Sequence, residues 1–347
     1  MHRICNSLEK NGYKILLIGR KMTNSLPLQN KLYQQKRIKC IFNNSAFFYV
    51  EYNLKLFLFL LFLKTDCYCA IDLDTILPVW IVSIIQRKKR VYDAHELFTE
   101  QKEIITRPFI KKIWNAIEKV MVPKFKCGYT VNDFIKDELQ KKYGVNYEII
   151  RNLPLKNPPN SISKIQNSNF IIYQGAVNEG RCFETLIPAM QFVNTSLLIC
   201  GEGNFLNQTK QLIQTYNLQN KIILKGWVRP EALTQLTPNA IVGITLFETT
   251  GLNQYQSLAN RFFDYIMAGI PQVCVNFPQY KKINDEFNIA VMIDATDTQT
   301  IAAAINKLLK DKNLYNSLKN NCHKAKEILN WQTEEIKLIN YWKNICI

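Results

Sequence analysis

The stretch Ser257–Pro271, SLANRFFDYIMAGIP, decides the fold. Leu258, Phe262 and Ile266 recur at four-residue spacing, Ser257 is of the N-cap type, and Gly269 followed by Pro271 stops the run. The pattern predicts a short helix capped by Ser257. Asn260 and Asp264 also stand four apart and share the opposite, polar stripe, with Arg261 beside them. A strand-like run, Ala240–Glu248, precedes the helix, and another, Pro271–Asn276, follows it. This setting puts the helix start beside the carboxyl end of a parallel strand, where open α/β sheets bind ligands. A helix start attracts phosphate, and a carboxylate one turn in can grip sugar hydroxyls. An amphipathic surface helix with a solvated polar face satisfies the same pattern.

Outward from this stretch the alternation continues in both directions. Towards the N-terminus, apolar strand runs stand at Lys221–Val228, Ser196–Gly203 and Phe170–Val177, with helices predicted from Pro230, Phe205 and Arg181. Downstream, Ile289–Asp294 is the last strand, and helices fill Thr298–Asn344. The segment Leu153–Ser168 is rich in Pro, Asn and Ser, lacks periodicity, and reads as an interdomain linker. Before it lie strand runs at Lys14–Gly19, Arg37–Phe42, Cys67–Asp72, Lys89–His95, Cys127–Asn132 and Tyr147–Asn152, again separated by helical patterns. The expectation is two doubly wound, Rossmann-like parallel-sheet domains, residues 1–160 and 168–330, with a helix over 331–347 packing back on the first. A Rossmann-like domain normally opens with a buried strand, whereas this sequence opens on a helix (Ile4 and Leu8 in phase). The first strand of the N-terminal domain is therefore expected to be missing.

Length and composition agree with that plan. The chain has 347 residues, 47% of them hydrophobic, comfortable for two cores and unlike a disordered protein. Ten cysteines show no zinc-like spacing, and no secretory leader precedes them, so reduced thiols in a cytoplasmic protein are expected. The net charge of +16 is concentrated early: residues 1–160 hold 27 Lys and Arg against 14 Asp and Glu. No nucleic-acid motif with interleaved aromatics accompanies these charges, so an anionic membrane surface is the expected partner and nucleic acid is not. A scattered, solvated basic surface is the plain alternative. The run Phe47–Leu63 is the most membrane-like segment, but Glu51 and Lys55 interrupt it, and it falls short of the ~20 residues a spanning helix needs. A buried core helix is expected there, with partial insertion into one leaflet as the alternative.

Residues able to carry chemistry collect at strand carboxyl ends. Asp72 and Asp74 follow one strand, Asp93, His95 and Glu96 another, and Asn132 a third. His95 alone of three histidines stands at such a place, where it can stabilise a leaving phosphate or a sugar oxygen. Capping of the next helix by His95 and Glu96 is the bland alternative. Asp72-Leu73-Asp74 has the form of a metal–diphosphate motif, but Asp74 equally suits a helix N-cap, and no metal is expected. No P-loop, Ser-His-Asp order or Cys-His pair is present, which disfavours ATPase and hydrolase readings.

The run Ser257–Pro271 resembles a segment of family 4 glycosyltransferases, enzymes of the two-domain GT-B fold. The resemblance implies that Asp264 holds the ribose of a nucleotide-sugar donor, with Arg261 standing where lysine is usual. Arg181, after the glycine turn at Gly175, takes the place of a basic residue against the donor diphosphate. Asn260, Glu248 and Gly251 are further donor-side residues. The Asp93-Ala94-His95-Glu96 run is similar to the segment in which a histidine lies against the donor sugar, which makes His95 and Glu96 the catalytic candidates. Asp72, Asp74, Asp93 and Asn132 are acceptor-side candidates. Two positions depart from the family: Gln256 replaces the first of two spaced glutamates, and Ala176 replaces a basic residue. The implied activity is metal- and cofactor-free, retaining transfer of a sugar from a nucleoside diphosphate to a glycan or lipid-linked acceptor, in the cleft between domains. The expected setting is cell-surface polysaccharide or glycolipid synthesis, with the basic first domain holding a cytoplasmic protein peripherally on the inner face of the plasma membrane. A non-catalytic module of the same fold, or a sugar-nucleotide epimerase, are the alternatives.

Overall fold

Strand and helix alternate because apolar runs of four to six residues are punctuated by amphipathic stretches, and a parallel sheet buries such runs on both faces. A computed structural model describes residues 1–23, 25–43, 45–156, 169–249 and 251–346. Residues 157–168, most of the expected linker, lie outside the described residues. The chain divides into two compact units, Met1–Arg151 with Thr333–Ile347, and Asn152–Gln332.

The first unit contains β1 (Leu16–Lys21), β2 (Gln34–Lys39), β3 (Cys67–Ile71), β4 (Lys89–Ala94), β5 (Cys127–Thr130) and β6 (Glu148–Ile149). All pairings are parallel. β3 to β6 form one sheet in sequential order, while β1 and β2 form a separate pair, so the sheet of this unit is in two pieces among the described residues. Its core gathers Ala70, Val82, Tyr92, Val122, Phe125 and Tyr147. From Thr333 on, the helix Trp331–Cys346 belongs to this unit. Tyr341 meets Tyr129 edge-on at 5.4 Å, and Glu334 accepts the Arg151 backbone N–H at 2.8 Å.

The helix Ser45–Leu61 departs from the expected buried helix. Tyr52, Leu56 and Leu60 point into the core, but the opposite face exposes Phe47, Val50, Leu54 and Leu58. An apolar run on a surface helix buries only the face that finds a partner, and composition alone does not say which face that is.

The second unit contains β7 (Phe170–Gln174), β8 (Ser196–Cys200), β9 (Ile222–Gly226), β10 (Val242–Thr245), β11 (Gln272–Val275) and β12 (Ala290–Ile293). They form one parallel sheet in the order β12-β11-β10-β7-β8-β9. Read from β9, this is the doubly wound order 3-2-1-4-5-6, whose switch point lies between β7 and β10. β10 and β11 are buried at every residue, as central strands must be. The helix of the opening stretch runs Asn260–Ala268 and ends at Gly269, whose φ of 72° gives the expected left-handed stop. Its start differs from the expectation. Ser257 hydroxyl donates to the Gln254 carbonyl instead of capping, and the N-cap is Ala259, without a side-chain bond. A short helix, Leu252–Tyr255, claims Ser257 first.

Candidate functional site

In the second unit the switch point brings the ends of β7 and β10 together, and two arginines converge on them. Arg261 does not join Asn260 and Asp264 on a solvated stripe: it is only 6% exposed. Its guanidinium lies 4.7 Å from the ring centre of Tyr173 and 4.5 Å from that of Phe247. One terminal nitrogen donates to the Tyr173 hydroxyl at 3.1 Å and the other to the Leu246 carbonyl at 3.2 Å. Arg181, half-buried, sets its guanidinium 4.3 Å from the same Phe247 ring. The Nε of each arginine is buried without a partner, and neither forms an ion pair with a carboxylate among the described residues. Burial, and next the charge of Arg261, pull the pKa of Arg181 down. Two desolvated cations that repel one another are costly unless an anion joins them. Gly175 completes the corner: its φ is 128°, and a Cβ there would stand 3.1 Å from the Arg261 guanidinium. Neighbouring Gly201 is forced by close approach, since a Cβ on it would meet the Gly175 carbonyl oxygen at 1.8 Å.

Asp264 is held one turn into the helix. Its Oδ2 accepts from the Gln174 side-chain Nε2 at 2.8 Å, and the Gln174 side-chain Oε1 accepts from the Thr237 hydroxyl at 2.7 Å. Gln174 is buried, so this relay fixes the carboxylate's direction. Asn260 is exposed and its side-chain oxygen accepts from Asn152 at 2.9 Å. Glu248 is half-buried, its backbone N–H donating to the Gly180 carbonyl at 3.1 Å. Gly251 opens the short helix Leu252–Tyr255 with φ 96°. The helix expected from Arg181 begins at Phe183, leaving Arg181 on the loop. Sequence reasoning missed Tyr173, Gln174 and Phe247. Their signal was position: each ends or follows a strand at the switch point, where an aromatic or amide needs a partner.

In the first unit the ends of β3 and β4 are tied by one carboxylate. The Asp72 backbone N–H donates to the Asp93 carbonyl at 2.9 Å, and Asp72 Oδ1 accepts the His95 backbone N–H at 2.9 Å. To do so Asp72 adopts φ 54°, ψ 176°, a conformation nearly confined to glycine. His95 Nε2 lies 3.2 Å from Asp93 Oδ1 as an ion pair without a directed hydrogen bond. Burial pushes Asp72 up to about 7, against the opposing pull of His95. Burial lowers the pKa of His95, but the Asp93 carboxylate against its ring, then charge from Asp72, outweigh it and leave it raised. Burial raises Asp74 to about 6.

Two further expectations are corrected here, and the place of a third residue is fixed. Asp74 does not cap a helix, because it sits inside the one-turn helix Leu73–Thr75 and the next helix starts at Ile76. Neither His95 nor Glu96 caps a helix, and the Glu96 carboxylate instead accepts from the Gln101 side chain. Asn132, placed on the acceptor side, is the N-cap of the helix Asp133–Tyr143, its Oδ1 accepting from the Ile135 N–H at 2.9 Å.

Comparison with known proteins agrees with this anatomy. Residues 157–325 match the family model of glycosyl transferases group 1. Among solved structures, sucrose-phosphate synthase from Thermosynechococcus elongatus superposes with a TM-score of 0.79 at 13% identity, covering 99% of this chain and 91% of that one. HepE from Anabaena, in complex with UDP and glucose, gives 0.74 at 13% identity over 99% and 95%. A glycosyltransferase from Rickettsia africae gives 0.71 at 14% identity over 99% and 93%. At these identities the likeness establishes the fold, which is GT-B. No curated protein sequence matches the chain.

Proposed function

We propose that this glycosyltransferase of the GT-B fold takes its sugar from a nucleoside-diphosphate donor and passes it, with retention, to a glycan or lipid-linked acceptor. One observation carries the donor side of the reading: buried Arg261 and half-buried Arg181, neither with a carboxylate partner among the described residues, converge on Phe247 beside the Gly175 turn. A diphosphate supplies the missing negative charge, and its charge grows as the sugar departs, so Arg181 and Arg261 act most strongly in the transition state. Asp264, braced by Gln174, takes the ribose hydroxyls. HepE, whose complexes include UDP and UDP-glucose, makes a uridine donor the first to try.

In the first unit, His95 is the residue suited to donate a hydrogen bond to the sugar, held by Asp72 through its backbone and by Asp93 through its ring. The enzyme requires no resident metal or cofactor on this reading, because the guanidinium pair does the work of charge neutralisation. The proposed setting is the inner face of the plasma membrane, with the basic first unit turned towards anionic lipid and the acceptor drawn from polysaccharide or glycolipid synthesis.

The test is release of nucleotide from a panel of nucleotide sugars, with and without membrane extract. Release that depends on Arg181 and His95 is expected. Nucleotide binding without release from any donor would favour a binding module and overturn the enzymatic reading.

A further inference from the structure

No helix of the described residues is long and apolar enough to cross a membrane, yet the helix Ser45–Leu61 presents an apolar face to solvent. Phe47 is 67% exposed, Val50 66%, Leu54 57%, Leu58 48% and, just past the helix, Phe62 83%. The spacing of three and four residues puts all five on one line along the helix. The helix Ile76–Ile85 packs beside it and exposes Ile81, Ile84 and Ile85. The C-terminal ends of the two helices are locked together: the Gln86 amide donates to the Leu61 carbonyl at 2.8 Å, and the Tyr68 hydroxyl donates to Gln86 at 2.8 Å. Phe62, Ile84 and Ile85 therefore gather at one end, and exposed Lys64 and Arg87 flank them. Lys88 is there too, 3.7 Å from a fully exposed Asp66. Glu51 is tied at the helix edge by Lys55, at 2.6 Å, and by the Ile41 and Phe42 backbone N–H groups.

We infer that the Phe47–Phe62 face is a monotopic docking surface that sinks into one anionic lipid leaflet, with Lys64, Arg87 and Lys88 at the headgroups. An apolar stripe beside a cationic rim is the pattern of helices that lie in the membrane interface. Charge complementarity selects the occupant: the surrounding residues 1–160 carry 27 basic against 14 acidic side chains. A symmetric dimer through the same face would press two cationic rims together, whereas anionic headgroups neutralise them. The inference rests on the proposed membrane setting and adds which surface is buried and how.

The test is flotation of the full chain with phosphatidylcholine vesicles, with and without phosphatidylglycerol, comparing wild type with Leu54→Asp/Leu58→Asp. Wild type is expected to float with the anionic vesicles and the double variant to bind them at least about tenfold more weakly. The single variant Phe62→Ser, at the most exposed position, is the second probe and should weaken binding in the same direction. Unaltered binding of both variants, absence of wild-type binding, or a wild-type dimer that the double variant dissolves would each overturn the inference. Nucleotide release from a soluble donor without vesicles is measured in parallel. Its failure would count against the enzymatic reading alone, and its persistence in the variants shows that they fold.

Discussion

Replacing Asp72 by glycine and by alanine separates strain from hydrogen bonding at the centre of the first unit. At φ 54°, ψ 176°, the native residue bears a backbone conformation that costs of order 1–3 kcal/mol in any residue with a Cβ. Both substitutions remove the acceptor for the His95 N–H, a loss of about 1–3 kcal/mol when the donor stays buried. Only glycine relieves the strain. It gives back about 0.5–1 kcal/mol through the extra freedom of the unfolded chain. Asp72→Gly should therefore be more stable than Asp72→Ala by about 1–2 kcal/mol, the reverse of the ordering these residues show at ordinary positions. For units of this size the difference amounts to roughly 2–8 °C in melting temperature. Thermal and urea unfolding of the two variants, followed by circular dichroism, provide the measurement. Turnover should fall in both, because the His95 loop loses its tether in both. An alanine variant as stable as the glycine variant would refute the claim that Asp72 is strained. Wild-type turnover in either would refute the claim that the tether positions His95.

Four further outcomes are expected. Asp264→Ala should weaken nucleotide-sugar binding by about 1–3 kcal/mol in calorimetry while Asp264→Glu is tolerated, and unchanged affinity would remove Asp264 from the donor site. His95→Ala should lower turnover roughly tenfold to a thousandfold with little change in donor affinity, and wild-type turnover would deny it a part in the chemistry. Arg181→Gln should weaken binding of the nucleoside diphosphate by about 1.5–3 kcal/mol and of the nucleoside hardly at all; equal losses for both would show that Arg181 does not meet phosphate. Asp72 is pushed up to about 7, so between about pH 4 and that value the folded protein binds the proton that the unfolded chain releases, and its stability falls as pH rises. The raised His95 acts in the same direction. The stability of the wild type relative to Asp72→Asn should therefore decline across that window, and a flat difference in urea midpoints would contradict the burial of the Asp72 carboxyl.

The sequence by itself determined the class of fold. Apolar runs such as FIIYQ and QVCV, each followed by a helical pattern, specify parallel strands because periodicity is a local property that each segment carries alone. It also singled out the strand-end residues, since Asp72, Asp93, His95 and Gly175 stand where a doubly wound sheet collects its ligands. Partners and directions belonged to the tertiary structure. Spacing put Arg261 on a polar stripe, but packing turned it inward between Tyr173 and Phe247, residues 88 and 14 positions away along the chain. Spacing made Ser257 a cap, yet a short helix just before it took its hydroxyl. The run Phe47–Leu63 is apolar apart from Glu51 and Lys55, and only packing against the core of the first unit decided that Leu56 is covered while Leu54 is not. Nothing in the letters around Asp72 foretold its backbone, because that conformation is imposed by bonds reaching β4 across the sheet. Local pattern fixes what each segment becomes; which face is buried, which charge goes unpaired and where strain is stored depend on contacts between segments far apart in sequence.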